Sequence, residues 1–323
     1  MYFLAPIMFA LALAICSGTA VAQPYPSKPV RVIVPYPSGG IVDLLARAIT
    51  EKIAAGWGQP ILVEGLPGAD GNLGTEAVAK GAADGYTWLM TGPAILSNPS
   101  IYSTLPWTPL RDFQGVGVAV WNLNVAVVPA TLPVSTLAEF VAYAKARPGQ
   151  LNFGNPGTGS SNHLSSELFF QVAGIKLVNI GYKGQPPAIP DLINGQLQFK
   201  VVALGLAAPH VKSGRLKALA AFSPQRLKQL PDVPTVAEAG YPEAGLVPWD
   251  GIYVPAATPK DVVARINSEI NKALASSEVQ ERIEKIGGLP GPARTPDEIQ
   301  AMMKTDFESW GKVVRAAGIK PPQ

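Results

Sequence analysis

Residues 30–49 read VRVIVPYPSGGIVDLLARAI, and the fold turns on this stretch. Val30, Val32, Ile33 and Val34 form a short β-branched run suited to a buried strand. Pro35-Tyr36-Pro37-Ser38 ends it, because proline cannot join a ladder and disfavours helix just before it. Gly39-Gly40 then permits a tight turn with no side chain over it. From Ile41 the period changes: Ile41, Leu44, Leu45, Ala48 and Ile49 share one helix face. The stretch is therefore strand, bare glycine turn, helix. Taken alone it is an ordinary βα connection. Its helix start nevertheless offers unpaired N–H groups and partial positive charge, where a small anion can dock without lysine or arginine.

The same order repeats downstream. Strands are predicted over 60–64 and 86–90, with a helix over 74–82 between them and strand-end turns at 66–72 and 91–94. Further strands are expected within 112–128, and Thr136 is positioned to cap a helix ending near 147–149. The strand over 151–154 leads into Asn155-Pro156-Gly157-Thr158-Gly159-Ser160-Ser161-Asn162-His163, and Leu164, Leu168 and Val172 then mark a helix stripe. This is a second strand, glycine turn and helix. After it come strands over 178–180, 199–204 and 216–222, short helices over 188–194 and within 231–240, and a helical turn over 210–214. A strand over 252–254 and helices over 258–275, 296–307 and 308–317 complete the chain. The β-loop-α order points to an α/β fold with mostly parallel sheets.

The 323 residues suffice for one large or two ordinary domains. A charged fraction of 15% and a net charge of +3 leave no nucleic-acid footprint and no polybasic membrane patch. Residues 1–22 carry no charge; a hydrophobic run followed by Ala20-Val21-Ala22 predicts a secretory signal peptide cleaved before Gln23, although the usual basic residue at its start is missing. Cys16 is the only cysteine. A lipoprotein signal there is disfavoured by Ile15, so cleavage leaves an exported, cysteine-free chain that relies on its cores. No later apolar run reaches the ~18 residues of a membrane span.

Catalytic signatures are missing. No HExxH, CxxC or GxSxG occurs. Gly154 and Gly159 have Walker-A spacing without the lysine, and Gly157-Thr158-Gly159 begins a dinucleotide fingerprint that Asn162 leaves incomplete. Ser160 and His163 could face one another, but a serine nucleophile needs a third, orienting group. The two glycine turns carry more information as a pair. Each presents helix N–H groups, and hydroxyls come from Ser38 on one side and Thr158, Ser160 and Ser161 on the other.

At this point the residues resemble the Bug-type periplasmic solute-binding receptors of tripartite tricarboxylate transport systems. The match rests on Tyr25-Pro26-Ser27-Lys28-Pro29 with VRVIVPYPSGG, on Leu66-Pro67-Gly68-Ala69 with GNLGTEAVAK, and on Ala83-Asp84-Gly85-Tyr86-Thr87. It continues in FGNPGTGSSNHL, Tyr182-Lys183-Gly184, Gly195-Gln196 and WDGIYVPAATP. The resemblance implies a two-domain, Venus-flytrap binding-protein fold (type II) with the ligand in a cleft. The domains would be 23–123 with 245–323, and 124–244. It implies a monomer with no cofactor that captures a small carboxylate with ordered water and passes it to membrane permease subunits. Carried over by motif, one wall holds Tyr36, Ser38, Gly39, Gly40, Asp43 and Thr91. The other holds Thr158, Gly159, Ser160, His163, Tyr182 and Gly184. Asp43 could instead pair with N–H groups of its own helix turn.

Three departures bear on the ligand. Ile41 and Val42 stand where the family usually has a third glycine and a threonine. Val202-Ala203-Leu204 replace a strand end that often carries aspartate or asparagine, which makes Val202 a pocket candidate. Glu64-Gly65-Leu66-Pro67 replaces a usual Glu-Asn-Arg-Pro. The first two predict a more apolar pocket, and hence a carboxylate with an apolar or aromatic body. Two alternatives remain open: presentation of the same ligand to a membrane sensor kinase, and a secreted hydrolase using Ser160 and His163.

Overall fold

The structure, a computed structural model, describes residues 25–182 and 184–321. The expected signal peptide and its cleavage point lie outside the described residues. In chain order the elements are β1 (Val30–Val34), α1 (Ile41–Trp57), β2 (Ile61–Gly65), α2 (Asn72–Ala79), β3 (Thr87–Thr91), α3 (Ala94–Ile101) and α4 (Pro109–Asp112). Next come β4 (Phe113–Asn122), β5 (Asn124–Pro129), α5 (Leu137–Lys145), β6 (Asn152–Asn155), α6 (Ser161–Ala173), β7 (Val178–Gly181) and α7 (Ala188–Ile193). Then follow β8 (Lys200–Ala203), α8 (Leu204–Lys212), β9 (Leu216–Phe222), β10 (Trp249–Pro255), α9 (Lys260–Ala275), α10 (Ser277–Ile286), β11 (Gly288–Pro290) and α11 (Pro296–Ala317). Among the described residues no helix is long and apolar enough to cross a membrane.

One sheet has the order β11-β4-β10-β3-β1-β2. Its inner strands are buried on both faces, and successive side chains go to opposite sides. Val32, Val34, Trp88, Met90, Ile252 and Val254 meet α1, α9 and α10 through Leu45, Ile49, Ile270 and Ile283. Ile33, Leu89 and Tyr253 face the other way, onto Trp107, Ile299, Met303 and Trp310. The second sheet, β8-β5-β9, divides its strands likewise. Ala126 and Val128 pack among Phe140, Phe153, Phe169 and Phe199. Val125, Val127 and Val202 pack with Leu192, Leu204 and Ala207.

The expectation of mostly parallel sheets needs correcting. β1 pairs in parallel with β2 and β3, and β6 with β7. The ladders β10–β3, β10–β4, β11–β4, β5–β8 and β5–β9 are antiparallel. The cause is the chain path. β4 leaves the first sheet and, after Leu123 alone, continues as β5 of the second; β10 brings the chain back beside it. An outgoing and a returning strand must run in opposite directions. They pair from Trp249 against Trp121, and the Asn122 N–H donates to the Pro248 carbonyl at 2.8 Å. The cavity described next lies beside this crossing.

Several elements differ from expectation. α3 and α10 form where no helix was expected, and 296–317 is one helix rather than two. The short helix expected within 231–240 is a run of turns. α11 is kept continuous by a capping box at Thr295 and Glu298 and by a buried stripe of Ile299, Met303, Trp310, Val313 and Val314.

Candidate functional site

The β1–α1 loop is locked by its own helix. Gly39 adopts φ +82°, and its N–H donates to Asp43 Oδ2 at 3.0 Å. Asp43 is buried and also accepts from Arg47 at 2.9 and 3.1 Å, while Arg47 reaches on to the Val63 carbonyl. The Arg47 guanidinium holds the Asp43 carboxyl below the usual carboxylate range. With the Gly39 amide thus occupied and the Gly40 amide donating to the Pro37 carbonyl, the donors left by helix geometry are those of the first turn, Ile41, Val42 and Asp43. Ser38 lies at the exposed edge of the loop, with Gly65 leaving room for its hydroxyl.

The β6–α6 loop is built similarly. Asn155 Oδ1 accepts from the Gly157 N–H at 2.9 Å, and the Gly157 carbonyl accepts from the Ser160 N–H at 3.1 Å. Ser160 caps α6, its Oγ accepting from the His163 N–H at 3.3 Å. The Gly159 N–H donates to His163 Nδ1 at 3.1 Å. The other ring nitrogen, Nε2, lies 3.2 Å from the Asn179 side-chain nitrogen and 3.7 Å from Glu167 Oε1. His163 is buried and committed to holding the loop, and Ser160 Oγ accepts from a main-chain N–H. No nucleophile–base pair exists between them.

Both loops border one cavity of about 710 Å³. Tyr36, Ile41 and Val42 line it from the first, and Gly157 to Asn162 from the second. Gly159 comes so close to the other side that a Cβ built on it would lie 2.5 Å from Ile101 Cδ1 of α3. Two more helices start here, α3 behind Gly92-Pro93 and α8 with Gly205 and Leu206. Four helix N-termini thus border the cavity, each contributing partial positive charge, and the C-terminus of α10 borders it at Ile286 and Gly287. Among the described residues no lysine, arginine or histidine lines the cavity. Much of the wall is apolar, with Leu45, Leu123, Leu206 and Ile286 joining Ile41 and Val42.

A chain of amides forms the polar wall. Asn162 Nδ2 donates to Asn124 Oδ1 at 2.9 Å, Gln185 Nε2 donates to Asn162 Oδ1 at 3.1 Å, and the Ala203 N–H donates to Gln185 Oε1 at 2.9 Å. On the opposite side Asn122 Nδ2 donates to Asp250 Oδ1 at 3.3 Å, and the Tyr102 hydroxyl donates to Asp70. Burial pushes the Asp250 carboxyl up to about 6. Tyr36 is driven up to about 12, chiefly by burial and also by the Asp250 charge.

Of the residues expected at the site, Tyr36, Thr158, Gly159 and Ser160 line the cavity, while Gly39, Gly40, Asp43 and His163 hold its loops. Thr91 lies behind Tyr36, 3.4 Å from its hydroxyl. The Tyr182 hydroxyl turns away to Asp191 at 2.6 Å. The Gly184 N–H ties its loop to the Pro156 carbonyl at 2.9 Å, and it is the next residue, Gln185, that reaches the cavity. Val202 faces the core opposite Val125, and Ala203 takes the exposed side. Asn98, Asn122, Asn124, Gln185 and Asp250 also line the cavity, though none was anticipated there. Among the described residues no group of three or more His, Cys, Asp or Glu is placed to hold a metal.

A cavity between two sheets with four helix starts on its wall suits capture of a small anion. The model of the tripartite tricarboxylate transporter family receptor matches residues 45–319. The chain belongs to this receptor family. It is therefore a solute-binding receptor of the periplasmic binding-protein fold and not an enzyme. The receptor is 35% identical over 319 residues to Protein BugT of Bordetella pertussis, covering 98% of both chains. A Rhodopseudomonas palustris protein solved with adipate, Rpa4515, shares 33% identity at a TM-score of 0.76, with 92% of this chain and 100% of that one covered. MatC of the same organism, solved with bound malate, shares 30% identity at a TM-score of 0.72, covering 90% and 100%.

Proposed function

We propose that this receptor captures a small carboxylate with an apolar or aromatic body in the periplasm and delivers it to the membrane subunits of a tripartite tricarboxylate-type transporter. A signal peptide cleaved after Ala22 takes it there. The observation that carries the reading is the cavity with four helix N-termini and no basic side chain among the described residues. Such a wall stabilises negative charge through oriented amides, each helix start contributing roughly 0.3–1 kcal/mol, and about 2 when partly buried. Micromolar affinity needs about 8 kcal/mol, so hydrogen bonds, ordered water and apolar enclosure supply the rest. Ile41, Val42 and Leu206 give that enclosure and favour an apolar body over a densely polar one. Adipate, with which a relative was solved, carries a carboxylate at each end of an apolar chain.

The parts that move are 23–123 with 245–323 on one side and 124–244 on the other, joined at the β4–β5 and β10 crossings. Ligand contacts to both walls favour the closed form, as in any population shift. The carboxylate lies against the first-turn amides of α1 and α6, with Tyr36, Thr158 and Ser160 beside it. Isothermal titration of the mature receptor with benzoate-type and aliphatic monocarboxylates, against aspartate, glutamate and citrate, tests this. Micromolar binding by the first set supports the reading, and tight binding of the polar set alone refutes it.

A further inference from the structure

Asp250 is a buried acid on the cavity wall. It is the second residue of β10, in the returning strand, and is only 3% exposed. The residue lines the cavity, and among the described residues its carboxyl accepts one long hydrogen bond, from Asn122. Gly92 makes room for it: a Cβ there would stand 2.6 Å from Asp250 Oδ1. The groups around it are Asn122 from β4, Tyr36 from the β1–α1 loop and Tyr253 from its own strand. Two further acids act on these neighbours: Asp70, itself on the cavity wall, on Tyr36, and Asp306 on α11 on Tyr253.

A buried carboxyl without a cationic partner is costly, and the cost buys no evident structural return. One long hydrogen bond would be made as well by asparagine. Groups kept at such expense in a cleft usually face a ligand.

We infer that Asp250 sets the receptor's specificity: its carboxyl accepts a hydrogen bond from a hydroxyl or ammonium group carried by the ligand away from its own carboxylate. The inference rests on the proposed reading of the cavity as a carboxylate site. The helix starts take the anionic end, and Asp250 takes a donor on the body. An unsubstituted acid leaves this buried acceptor unpaired, which is where binding sites discriminate most strongly. A dicarboxylate that places its second anion there meets like charge. The receptor thus selects hydroxy- or amino-substituted monocarboxylates over their plain and dicarboxylate counterparts.

The test is isothermal titration at about pH 7.5 of the wild-type receptor and Asp250→Asn. The ligands are hexanoate, 6-hydroxyhexanoate, 6-aminohexanoate and adipate, with benzoate, 4-hydroxybenzoate and terephthalate in parallel. The wild type is expected to bind a donor-bearing member at least about tenfold tighter than the plain acid and the diacid of its series. The hydroxy and amino arms tell the two donors apart. Asp250→Asn, whose amide can donate, should lose that preference and gain affinity for the diacid. Should the variant fold poorly, the wild-type ranking decides. Equal wild-type affinity for donor-bearing and plain or dicarboxylic ligands overturns the inference alone, as does an unchanged ranking in a folded variant. Failure of every carboxylate to bind overturns the carboxylate reading and this inference with it.

Discussion

Replacing Asp250 by asparagine should make the receptor more stable at neutral pH, and the size of the effect follows from the site. The carboxyl is buried, has no cationic partner among the described residues, and is pushed by burial up to about 6 from its ordinary 3.8. Between those values the folded protein holds a proton that the unfolded chain has released. Stability therefore falls as pH rises through that window, and the penalty is complete above about pH 6. At 1.36 kcal/mol per pH unit, the gap from 3.8 to about 6 amounts to about 3 kcal/mol as an upper value. Asparagine keeps the shape and carries no charge. Urea unfolding of wild type and Asp250→Asn, each at about pH 4 and about pH 7.5, isolates the effect; Asp306, also raised by burial, is present in both and cancels. The variant should match the wild type near pH 4 and exceed it by about 1–3 kcal/mol near pH 7.5. A variant less stable than wild type at pH 7.5, or a difference independent of pH, would refute the argument that Asp250 is an unpaired buried charge.

Gly159→Ala places a side chain at φ +74°, with its Cβ 2.5 Å from Ile101 Cδ1. The backbone conformation alone costs about 1–2 kcal/mol, and carboxylate affinity measured by titration should drop at least about tenfold. Unchanged affinity would remove the Thr158–Gly159 loop from the binding site. Asp43→Asn withdraws the charge that holds Arg47 and the Gly39 amide, at about 1.5–3 kcal/mol of stability near neutral pH. Because the folded Asp43 value is depressed, this stabilisation is present above the ordinary carboxylate range and lost as pH falls through the lowered one. Urea curves of both proteins should therefore converge in acid. Ser160→Ala removes the cap of α6 and should cost about 1 kcal/mol, read as a fall in Tm of about 2–4 °C.

The βα units were legible because local chemistry and the fold agree there. At 30–49 the hydrophobic period changes from strand to helix across two glycines; the residues flanking that turn, Tyr36, Ile41 and Val42, line the same cavity as Gly157 to Asn162, while Gly39 and Gly40 stand back from it. The direction of the sheets was not legible. Nothing local in FQGVGVAVWN or WDGIYVP says that one strand leaves a sheet and the other returns to it. α10 left a signal that was missed: Val279 and Ile283, four apart, follow a Ser276 cap. The position of Val202 turns on strand alternation, where a single residue separates core from cavity. Asn122, Gln185 and Asp250 come from separate stretches, and only the crossing of β4 and β10 makes Asn122 and Asp250 neighbours.

The most direct test of the account is a crystal structure of the mature receptor with the tightest-binding carboxylate of the titration series. The account predicts the carboxylate oxygens within hydrogen-bond distance of first-turn amides of α1 and α6, in the cavity bordered by Tyr36 and Thr158. A ligand bound outside that cavity, or a carboxylate held there by the side chain of a lysine or arginine, would contradict it.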